Sequence, residues 1–266
     1  MKKSTNITAL FLALGLIISL SGCSINEVGK YRVAAKLMEQ QFCVGFRSED
    51  KVGEAVTAAL NVLCDNGKAS ELSMKWFGEN VILMQGDSAA LDEILPKLEK
   101  RTLLIGYDDG RLPFSGKVKN KPTGFDVEMA AEACKLLGWK TKYIPVDVAK
   151  AEVELNSGNV DCIWGGFAYN PELRKIDMSP VYMNNTVVLA SLNGSKVKGI
   201  GSLSGKTLTL SNNSYFNSAL ESNTDLKEKP DFIVRVPGGT EDCINALVKG
   251  SCDAIITDKA ALYYYR

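Results

Sequence analysis

Short apolar segments alternate regularly with amphipathic stretches through the later part of the chain, and this alternation constrains the fold more than any other feature. The first cycle runs from LLIGY (103–107) through a helix expected at 126–137, closed by Gly138, to KYIPV (142–146). One face of this helix is apolar and consists of Met129, Ala130, Ala133, Cys134 and Leu137. Strands that alternate with helices of this length form βαβ units around a parallel sheet. The sequence therefore predicts an α/β fold.

A second series of the same kind follows Gly205. Its strand-like segments are KTLTLS (206–211), FIVRV (232–236) and DAIIT (253–257), with helical patterns between them. Between the two series, VYMNNTVVLASL (181–192) is long enough to pass from one to the other. Because a chain of this length suits two units of about 100 to 150 residues each, the sequence predicts two α/β lobes.

The first hundred residues carry elements of their own. Strands are expected at 31–35 and 42–47, and amphipathic helices at 52–63 and 69–77. A further helix is expected to begin at Ser88. Its apolar face would consist of Leu91, Ile94, Leu95 and Leu98. Pro96 lies inside this last pattern and should kink or shorten the helix.

Residues 1–22 have the layout of a secretory signal. Lys2 and Lys3 precede an apolar run at 9–20, which is too short to span a membrane comfortably. Cys23 follows directly, and the sequence Leu-Ser-Gly-Cys resembles the lipobox of bacterial lipoproteins. The resemblance implies that Cys23 becomes lipidated and anchors the protein to the membrane at the cell surface or periplasmic face. The alternative is a plain signal peptide followed by a buried cysteine.

Charge and residue types exclude several classes of function. The chain has 31 basic and 31 acidic side chains; without the two lysines of residues 1–22 the net charge is about −2, which gives no footprint for nucleic acid. There is no histidine, which excludes Ser-His and Cys-His nucleophile pairs. The seven cysteines form no C-x-x-C pair, so we expect neither a metal nor a cofactor. Most should be buried thiols, with a Cys243–Cys252 disulfide left open.

Five blocks of the chain resemble the amino-acid-binding members of bacterial extracellular solute-binding protein family 3, the receptors that feed ABC importers. The blocks are LLIGYDDGRLPF (103–114), GFDVEMAAEACKLLG (124–138), DCIWGGF (161–167), DAIITDKAALYYY (253–265) and QFCVGFRSEDKVGEAVTAALNVLCDNGKASELSMKWFGE (41–79). In the family the last block usually closes the chain, whereas here it comes first. Each block occurs once, which argues against two truncated copies joined end to end. The resemblance implies a two-lobed, periplasmic-binding-protein-like (type II) fold that is circularly permuted.

The resemblance also implies where the two lobes and the hinge lie. Lobe one would span 46–187, with 81–102 joining the usual chain ends, and lobe two would combine 24–42 with 190–266. Two crossing strands, near 43–46 and near 187–190, would form the hinge.

In open α/β sheets the ligand lies beyond the carboxyl ends of the strands, and the residues that match the family's amino-acid site follow strands. Arg174 is the nearest match to the arginine that binds the α-carboxylate, although Leu173 stands where that arginine often lies. Ser214 would offer its hydroxyl and N–H at a helix start. Asp258 matches the acidic residue that accepts the α-ammonium. Each has a plainer alternative: an exposed arginine, and N-caps for the other two.

The remaining predicted site residues would form the pocket for the ligand side chain. A carboxylate after the first strand suits a polar or cationic side chain, and glycines let the ligand approach the backbone closely. The set consists of Asp108, Arg111, Phe114, Gly165, Gly166, Ala168 and Asn213. Arg111 stands where the family often has an aromatic residue, which argues against a hydrophobic stacking surface. The alternative for 108–114 is a solvated turn.

The predicted function is an extracytoplasmic receptor that closes two lobes on a free amino acid, polar or basic, by hinge motion and delivers it to an ABC transporter permease. We expect a lipid-anchored monomer without catalytic activity. A sensing domain that reports to a separate signalling partner is the alternative. An enzyme of the dehydratase or wall-lytic type is a weaker one, since Asp108 and Asp258 could face each other as paired carboxylates.

Overall fold

The computed structural model describes residues 27–266, so the predicted signal segment and Cys23 lie outside the described residues. Two lobes are present, each built around its own sheet. The two-lobed α/β architecture expected from the strand and helix alternation is confirmed. Within residues 27–266, every helix is too short or too polar to cross a membrane.

Fourteen strands and eight α-helices make up this part of the chain. The strands are β1 (Glu27–Val28), β2 (Tyr31–Phe42), β3 (Gly45–Arg47), β4 (Thr102–Tyr107), β5 (Gly110–Arg111), β6 (Ser115–Val118), β7 (Lys121–Thr123), β8 (Lys140–Pro145), β9 (Cys162–Ile163), β10 (Ile176–Met178), β11 (Met183–Leu192), β12 (Thr207–Ser211), β13 (Phe232–Val236) and β14 (Ala254–Asp258). The helices are α1 (Lys51–Asp65), α2 (Lys68–Phe77), α3 (Phe125–Leu137), α4 (Ala151–Asn156), α5 (Ser214–Glu221), α6 (Thr224–Glu228), α7 (Thr240–Val248) and α8 (Lys259–Tyr264).

Lobe one contains a five-stranded sheet in the order β10-β3-β9-β4-β8, and lobe two contains a six-stranded sheet in the order β1-β2-β11-β14-β12-β13. In each lobe the central βα units are parallel: β4 pairs with β8 and β9, and β12 pairs with β13 and β14. The small sheet β5-β6-β7 adjoins the start of α3. Because the parallel strands of a lobe end at one edge, both lobes present strand ends that can border a common cleft.

The first part of the described chain contributes to both lobes. Strand β2 pairs with β11 from end to end in lobe two, and β3 lies between β10 and β9 in lobe one. Helix α2 packs on α3, where the rings of Phe77 and Phe125 lie 4.9 Å apart. The Tyr31 hydroxyl donates a hydrogen bond to the Tyr265 carbonyl at 2.9 Å. Residues 27–100 therefore complete the two lobes that the later sequence begins, and the two ends of the described chain lie side by side.

The chain passes between the two sheets at two places. The first passage, residues 43–44, follows β2 and lies in the segment where the sequence predicts the first hinge crossing, near 43–46. The second lies between β10 and β11, at residues 179–182, and not near 187–190 as the sequence suggested. Val187–Ala190 instead pair with β14 and are fully buried inside the lobe-two sheet. Lobe one consequently ends earlier than residue 187.

The helix expected from Ser88 does not form as one element. Two 3-10 turns, Ser88–Leu91 and Leu95–Lys97, take its place. Pro96 has no backbone N–H to continue an α-helix, which explains the break. The segment still buries Leu91 beside α1, and the Asp87 N–H donates to the Asn61 carbonyl at 3.3 Å.

The six described cysteines, residues 43, 64, 134, 162, 243 and 252, are buried free thiols. Burial raises the pKa of Cys243 to about 12, which keeps this thiol protonated. The structure thus contains no Cys243–Cys252 disulfide, and the cysteines contribute to the core as small apolar residues.

Candidate functional site

A cleft of about 610 Å³ lies between the lobes, at the carboxyl ends of strands from both. Lobe one contributes the segments that follow β4 and β8, and lobe two contributes those that follow β12 and β13. The residues that line it are Asp108, Asp109, Gly110, Pro145, Val146, Asp147, Val148, Ser211, Asn212, Asn213, Ser214, Pro237, Gly238 and Gly239. Strand ends from two parallel sheets thus surround one space, which is where an open α/β fold binds its ligand.

Asp108 lies on the lobe-one wall of this cleft and joins the lobes. Its carboxylate accepts hydrogen bonds from the Gly110 N–H at 2.9 Å and from Asn213 Nδ2, across the cleft, at 2.8 Å. Asn213 also caps α5 by accepting from the Tyr215 N–H. Burial raises the pKa of Asp108 above its ordinary value of 3.8, although the Gly110 hydrogen bond opposes the shift. Among the described residues, no lysine or arginine forms an ion pair with Asp108.

The other two carboxylates of the cleft have lysine partners. Asp109 pairs with Lys117 at 2.5 Å, and Asp147 lies 3.6 Å from Lys150. None of the residues that line the cleft is basic, so its walls favour cations. Residues 27–266 contain no cluster of three or more His, Cys, Asp or Glu side chains that could hold a metal ion.

Arg111 and Asp258 form a buried ion pair behind the cleft. Arg111 Nε and Nη2 donate to the two carboxylate oxygens of Asp258 at 3.0 and 2.9 Å, the forked geometry in which this interaction is strongest. Their side chains are 1% and 0% exposed. Burial alone would lower the pKa of Arg111, but the charge of Asp258 and its hydrogen bonds raise it, so the guanidinium stays charged.

Other groups complete the surroundings of the guanidinium. Nη2 also donates to Gln40 Oε1 at 2.7 Å, and Nη1 donates to the Gly166 carbonyl at 2.8 Å. Four aromatic rings lie within 4.8 to 5.6 Å of the guanidinium carbon, a distance at which cation–π attraction operates. They belong to Phe42, Phe114, Tyr215 and Phe216. We call these groups, with Asp258, Gln40 and Gly166, the guanidinium cage.

A further layer of hydrogen bonds fixes the acceptors of the cage. Asn185 Nδ2 donates to Gln40 Oε1 at 2.8 Å and to Asp258 Oδ1 at 2.6 Å. Asp126 accepts from the Gly166 N–H at 2.7 Å and from the Tyr182 hydroxyl at 2.6 Å. Burial raises the pKa of Asp126 to about 6. Gly166 has φ +68°, and a Cβ there would lie 2.9 Å from Arg111 Cδ, so the cage requires glycine at this position.

The predicted site residues therefore separate into three groups: residues that line the cleft, residues that form the cage, and residues outside both, namely Gly165, Ala168 and Arg174. Asp108, Asn213 and the exposed Ser214 line the cleft, whereas Arg111, Phe114, Gly166 and Asp258 form the cage. The Asp258 side chain makes no capping bond to α8, and the cap of α5 is Asn213 and not Ser214.

Ala168 lies at a second contact between the lobes, where its N–H donates to the Tyr215 hydroxyl at 3.3 Å. It lines a separate cavity of about 830 Å³, which shares Val148 and Ser214 with the first cleft. Gly165 lies against β4, and a Cβ there would be 2.8 Å from Tyr107 Cβ. Its role is therefore close packing, and it does not line the 610 Å³ cleft.

Arg174 is not part of the site. Its side chain is exposed and lies outside both cavities, while Leu173 borders the second one. The sequence pattern missed Gln40, Asn185 and Tyr215. Gln40 and Asn185 are buried polar residues inside strands, and a polar residue within an apolar strand pattern is a signal that could have identified them.

Comparison with known proteins gives a family match. The model of the bacterial extracellular solute-binding proteins, family 3, matches residues 103–250, more than half of the chain. The arginine-binding extracellular protein ArtP of Bacillus subtilis is 30% identical over 110 residues, 41% of this chain and 43% of that protein. A probable amino-acid ABC transporter-binding protein of Haemophilus influenzae is 27% identical over 65% of this chain and 66% of its own length. The chain thus spans less than half of ArtP.

A membrane-bound lytic murein transglycosylase F of Shewanella denitrificans is 31% identical over 64% of this chain, but only 35% of its own length. Among solved structures, an ancestral amino-acid-binding protein that is a precursor of cyclohexadienyl dehydratase superposes with a TM-score of 0.53 at 28% identity, over 65% of this chain and 76% of that one. A Streptococcus pneumoniae transporter substrate-binding protein with bound histidine gives 0.52 at 25% identity, over 62% and 68%. Binding proteins and enzymes therefore both occur among the relatives.

Proposed function

Because the chain belongs to the bacterial extracellular solute-binding proteins, family 3, we propose that it is an extracytoplasmic receptor that closes two lobes on a polar or basic amino acid and delivers it to an ABC importer. The amino-acid-binding relatives support the ligand class: ArtP is named as arginine-binding, and a related B. subtilis protein, TcyA, as L-cystine-binding. The H. influenzae relative is named as a transporter-binding protein, which supports the importer.

The observation that carries the proposal is Asp108. It places a half-buried carboxylate, without a cationic partner among the described residues, in a cleft lined by both lobes. A ligand ammonium or guanidinium at this point would replace the missing counter-charge. Charge-assisted hydrogen bonds in a partly desolvated site are the strong ones, and a micromolar complex requires only about 8 kcal/mol.

The cleft also offers partners for the carboxylate of an amino acid. Residues 212–214 border it at the start of α5, and Gly238 and Gly239 border it just before α7. Backbone N–H groups and the helix dipole favour an anion at such a position. Asp258 has Arg111 as its partner, so we assign the ligand ammonium to Asp108.

An enzymatic function has less support. The weaker alternative depended on a pair of carboxylates facing each other, but Asp258 is neutralised by Arg111 and lies outside the residues that line the cleft. Circular permutation, lipidation of Cys23 and a monomeric state are part of the proposal. So is a hinge at 43–44 and 179–182, in which the second crossing replaces the one expected near 187–190. The family match, which begins at residue 103, and the adjacent chain ends are consistent with permutation.

Isothermal titration of the purified protein against the twenty amino acids tests the binding role. We expect one or a few basic or polar amino acids to bind with at least micromolar affinity, and Asp108→Asn to weaken that binding at least tenfold. Asp231→Asn, an exposed carboxylate whose Oδ1 accepts from the Gly205 N–H, serves as the matched control. Absence of binding to all twenty would contradict the proposal.

Uptake of the amino acid identified in this way distinguishes an importer from a sensor. Deletion of the gene should abolish high-affinity uptake of that amino acid by cells, and expression of the protein should restore it. Unchanged uptake, with an altered signalling response to the same amino acid, would favour a sensory partner.

A further inference from the structure

The guanidinium cage has the composition of a cation-binding site. It provides a carboxylate, an amide oxygen, a backbone carbonyl and four aromatic faces around one planar cation. Such groups bind guanidinium and ammonium ligands in desolvated sites. In this protein the cation is the end of Arg111, a residue of the chain itself.

The cage is assembled from both lobes. Gly166 and Phe114 come from the lobe-one side, whereas Asp258, Gln40 and Tyr215 come from lobe two. Arg111 is on β5, beside the end of β4. A guanidinium that binds groups of both lobes holds them together, as a solute does when it closes a two-lobed receptor.

We propose that Arg111 is a built-in occupant of this cage, so that it stabilises the closed lobes and excludes the cationic group of a solute from Asp258. A solute is thereby restricted to the outer cleft beside Asp108. This consequence for specificity rests on the proposed receptor function, whereas occupancy of the cage by an internal cation does not.

Removal of the Arg111 side chain from the cage tests the inference. Arg111→Ala removes the side chain beyond Cβ, and the missing fragment corresponds to ethylguanidinium. By isothermal titration, ethylguanidinium should bind Arg111→Ala at least tenfold more tightly than it binds the unsubstituted protein. Propylammonium, a cation of similar size without the planar fork, should show a smaller gain. Arg32→Ala is the matched control, because it removes an arginine whose partner, Glu27, lies outside the cage.

The double variant Arg111→Ala/Asp258→Asn identifies the acceptor. It keeps the vacated space but removes the negative charge, so we expect ethylguanidinium to bind it at least tenfold more weakly than it binds Arg111→Ala. Equal binding to the two variants, or no gain for Arg111→Ala, would overturn the proposal.

Arg111→Ala leaves a buried charge without its partner and can fail to fold alone. In that case circular dichroism during titration with millimolar ethylguanidinium replaces calorimetry. Since a ligand that binds only the native state stabilises it, recovery of the folded signal supports the cage, and absence of recovery contradicts it.

Small-angle scattering tests the effect on the lobes. Folded Arg111→Ala should have a larger radius of gyration than the unsubstituted protein, and ethylguanidinium should reduce it again. An unchanged radius without the probe would show that Arg111 does not stabilise closure. Neither readout requires a natural solute, so failure of the cage is distinguishable from failure of the receptor function, which the amino-acid panel tests.

Discussion

The cage and the outer cleft lie side by side between the same two lobes, yet they differ in charge and in solvent. In the cage one positive and one negative side chain are almost fully buried, and each carboxylate oxygen of Asp258 accepts from Arg111. In the cleft the Asp108 carboxylate accepts only from neutral groups and faces an open space. The charges of the cage are balanced without a solute, whereas the Asp108 carboxylate in the cleft has no positive counter-charge until a cationic solute binds.

This difference indicates separate roles for the cage and the outer cleft, which the sequence predicts as one site. A balanced buried pair stabilises one arrangement of the lobes, because separation would leave two desolvated charges unpaired. An unbalanced carboxylate at a cleft responds to what binds there. We therefore expect changes in the cage to alter folding and closure, and changes in the cleft to alter ligand affinity.

The largest effect should come from breaking the buried pair. Asp258→Ala leaves the Arg111 guanidinium buried without its counter-charge, which we expect to lower the free energy of unfolding by about 3–5 kcal/mol. Urea denaturation measures this change. Asp225→Ala, which breaks an exposed pair with Lys229, should cost at most about 1 kcal/mol. Similar losses for the two variants would contradict the assignment of the cage as the stabilising region.

The pH dependence of stability should come from Asp126, behind the cage. Its pKa is about 6 in the folded protein against an ordinary value of 3.8, so between these values the folded state retains a proton that the unfolded state releases. Stability should therefore fall as the pH rises from about 4 to about 6, by about 3 kcal/mol in total. Urea denaturation across this range measures the slope.

Asp126→Asn removes the titrating group, so its own contribution to the slope should disappear. Above pH 6, where Asp126 is ionised, the amide of the variant has one acceptor oxygen in place of the two that accept the Gly166 and Tyr182 hydrogen bonds. An identical slope in the variant would locate the pH dependence elsewhere.

In the outer cleft, acidification should weaken binding of a cationic solute. The pKa of Asp108 is raised by burial, so its carboxylate becomes protonated at a higher pH than an exposed aspartate, and affinity should fall as the pH approaches that value. In Asp108→Asn the affinity should already be at least tenfold lower at neutral pH, about 1.4 kcal/mol, and should vary less with pH. Titrations at neutral and mildly acidic pH compare the two proteins. Parallel profiles would exclude Asp108 as the cation partner.

The sequence predicted those parts of the molecule that depend on local patterns. Helix α3 begins and ends within one residue of its expected limits, because its apolar stripe and Gly138 specify it locally. Pro96 predicts a break, but the apolar pattern around it still predicts a helix. The burial of Leu91 beside α1 requires only an apolar contact, which short turns also provide.

The candidate site shows more clearly that local sequence patterns do not predict contacts between distant residues. Asp108 and Asn213 could be located because each follows a strand of a recognisable βα unit. The ion pair of Arg111 with Asp258 joins residues 147 positions apart. No local sequence pattern shows that one predicted site residue neutralises another. The residue type of Arg174, next to Leu173, predicts a partner for the ligand carboxylate, but its position in the fold leaves the side chain exposed.

The smallest expected effect concerns Asn213, which serves both α5 and the contact between the lobes. Asn213→Ala loses the cap acceptor and the hydrogen bond to Asp108, and should destabilise the protein by about 1 kcal/mol. Asn213→Ser keeps a cap acceptor but is too short to reach Asp108 in the same way, so its stability should stay within about 0.5 kcal/mol of the unsubstituted protein. If the hydrogen bond holds the cleft closed, both variants should show an equal increase in the radius of gyration. An increase in the alanine variant alone would mean that the helix cap, and not the contact across the cleft, positions this wall of the site.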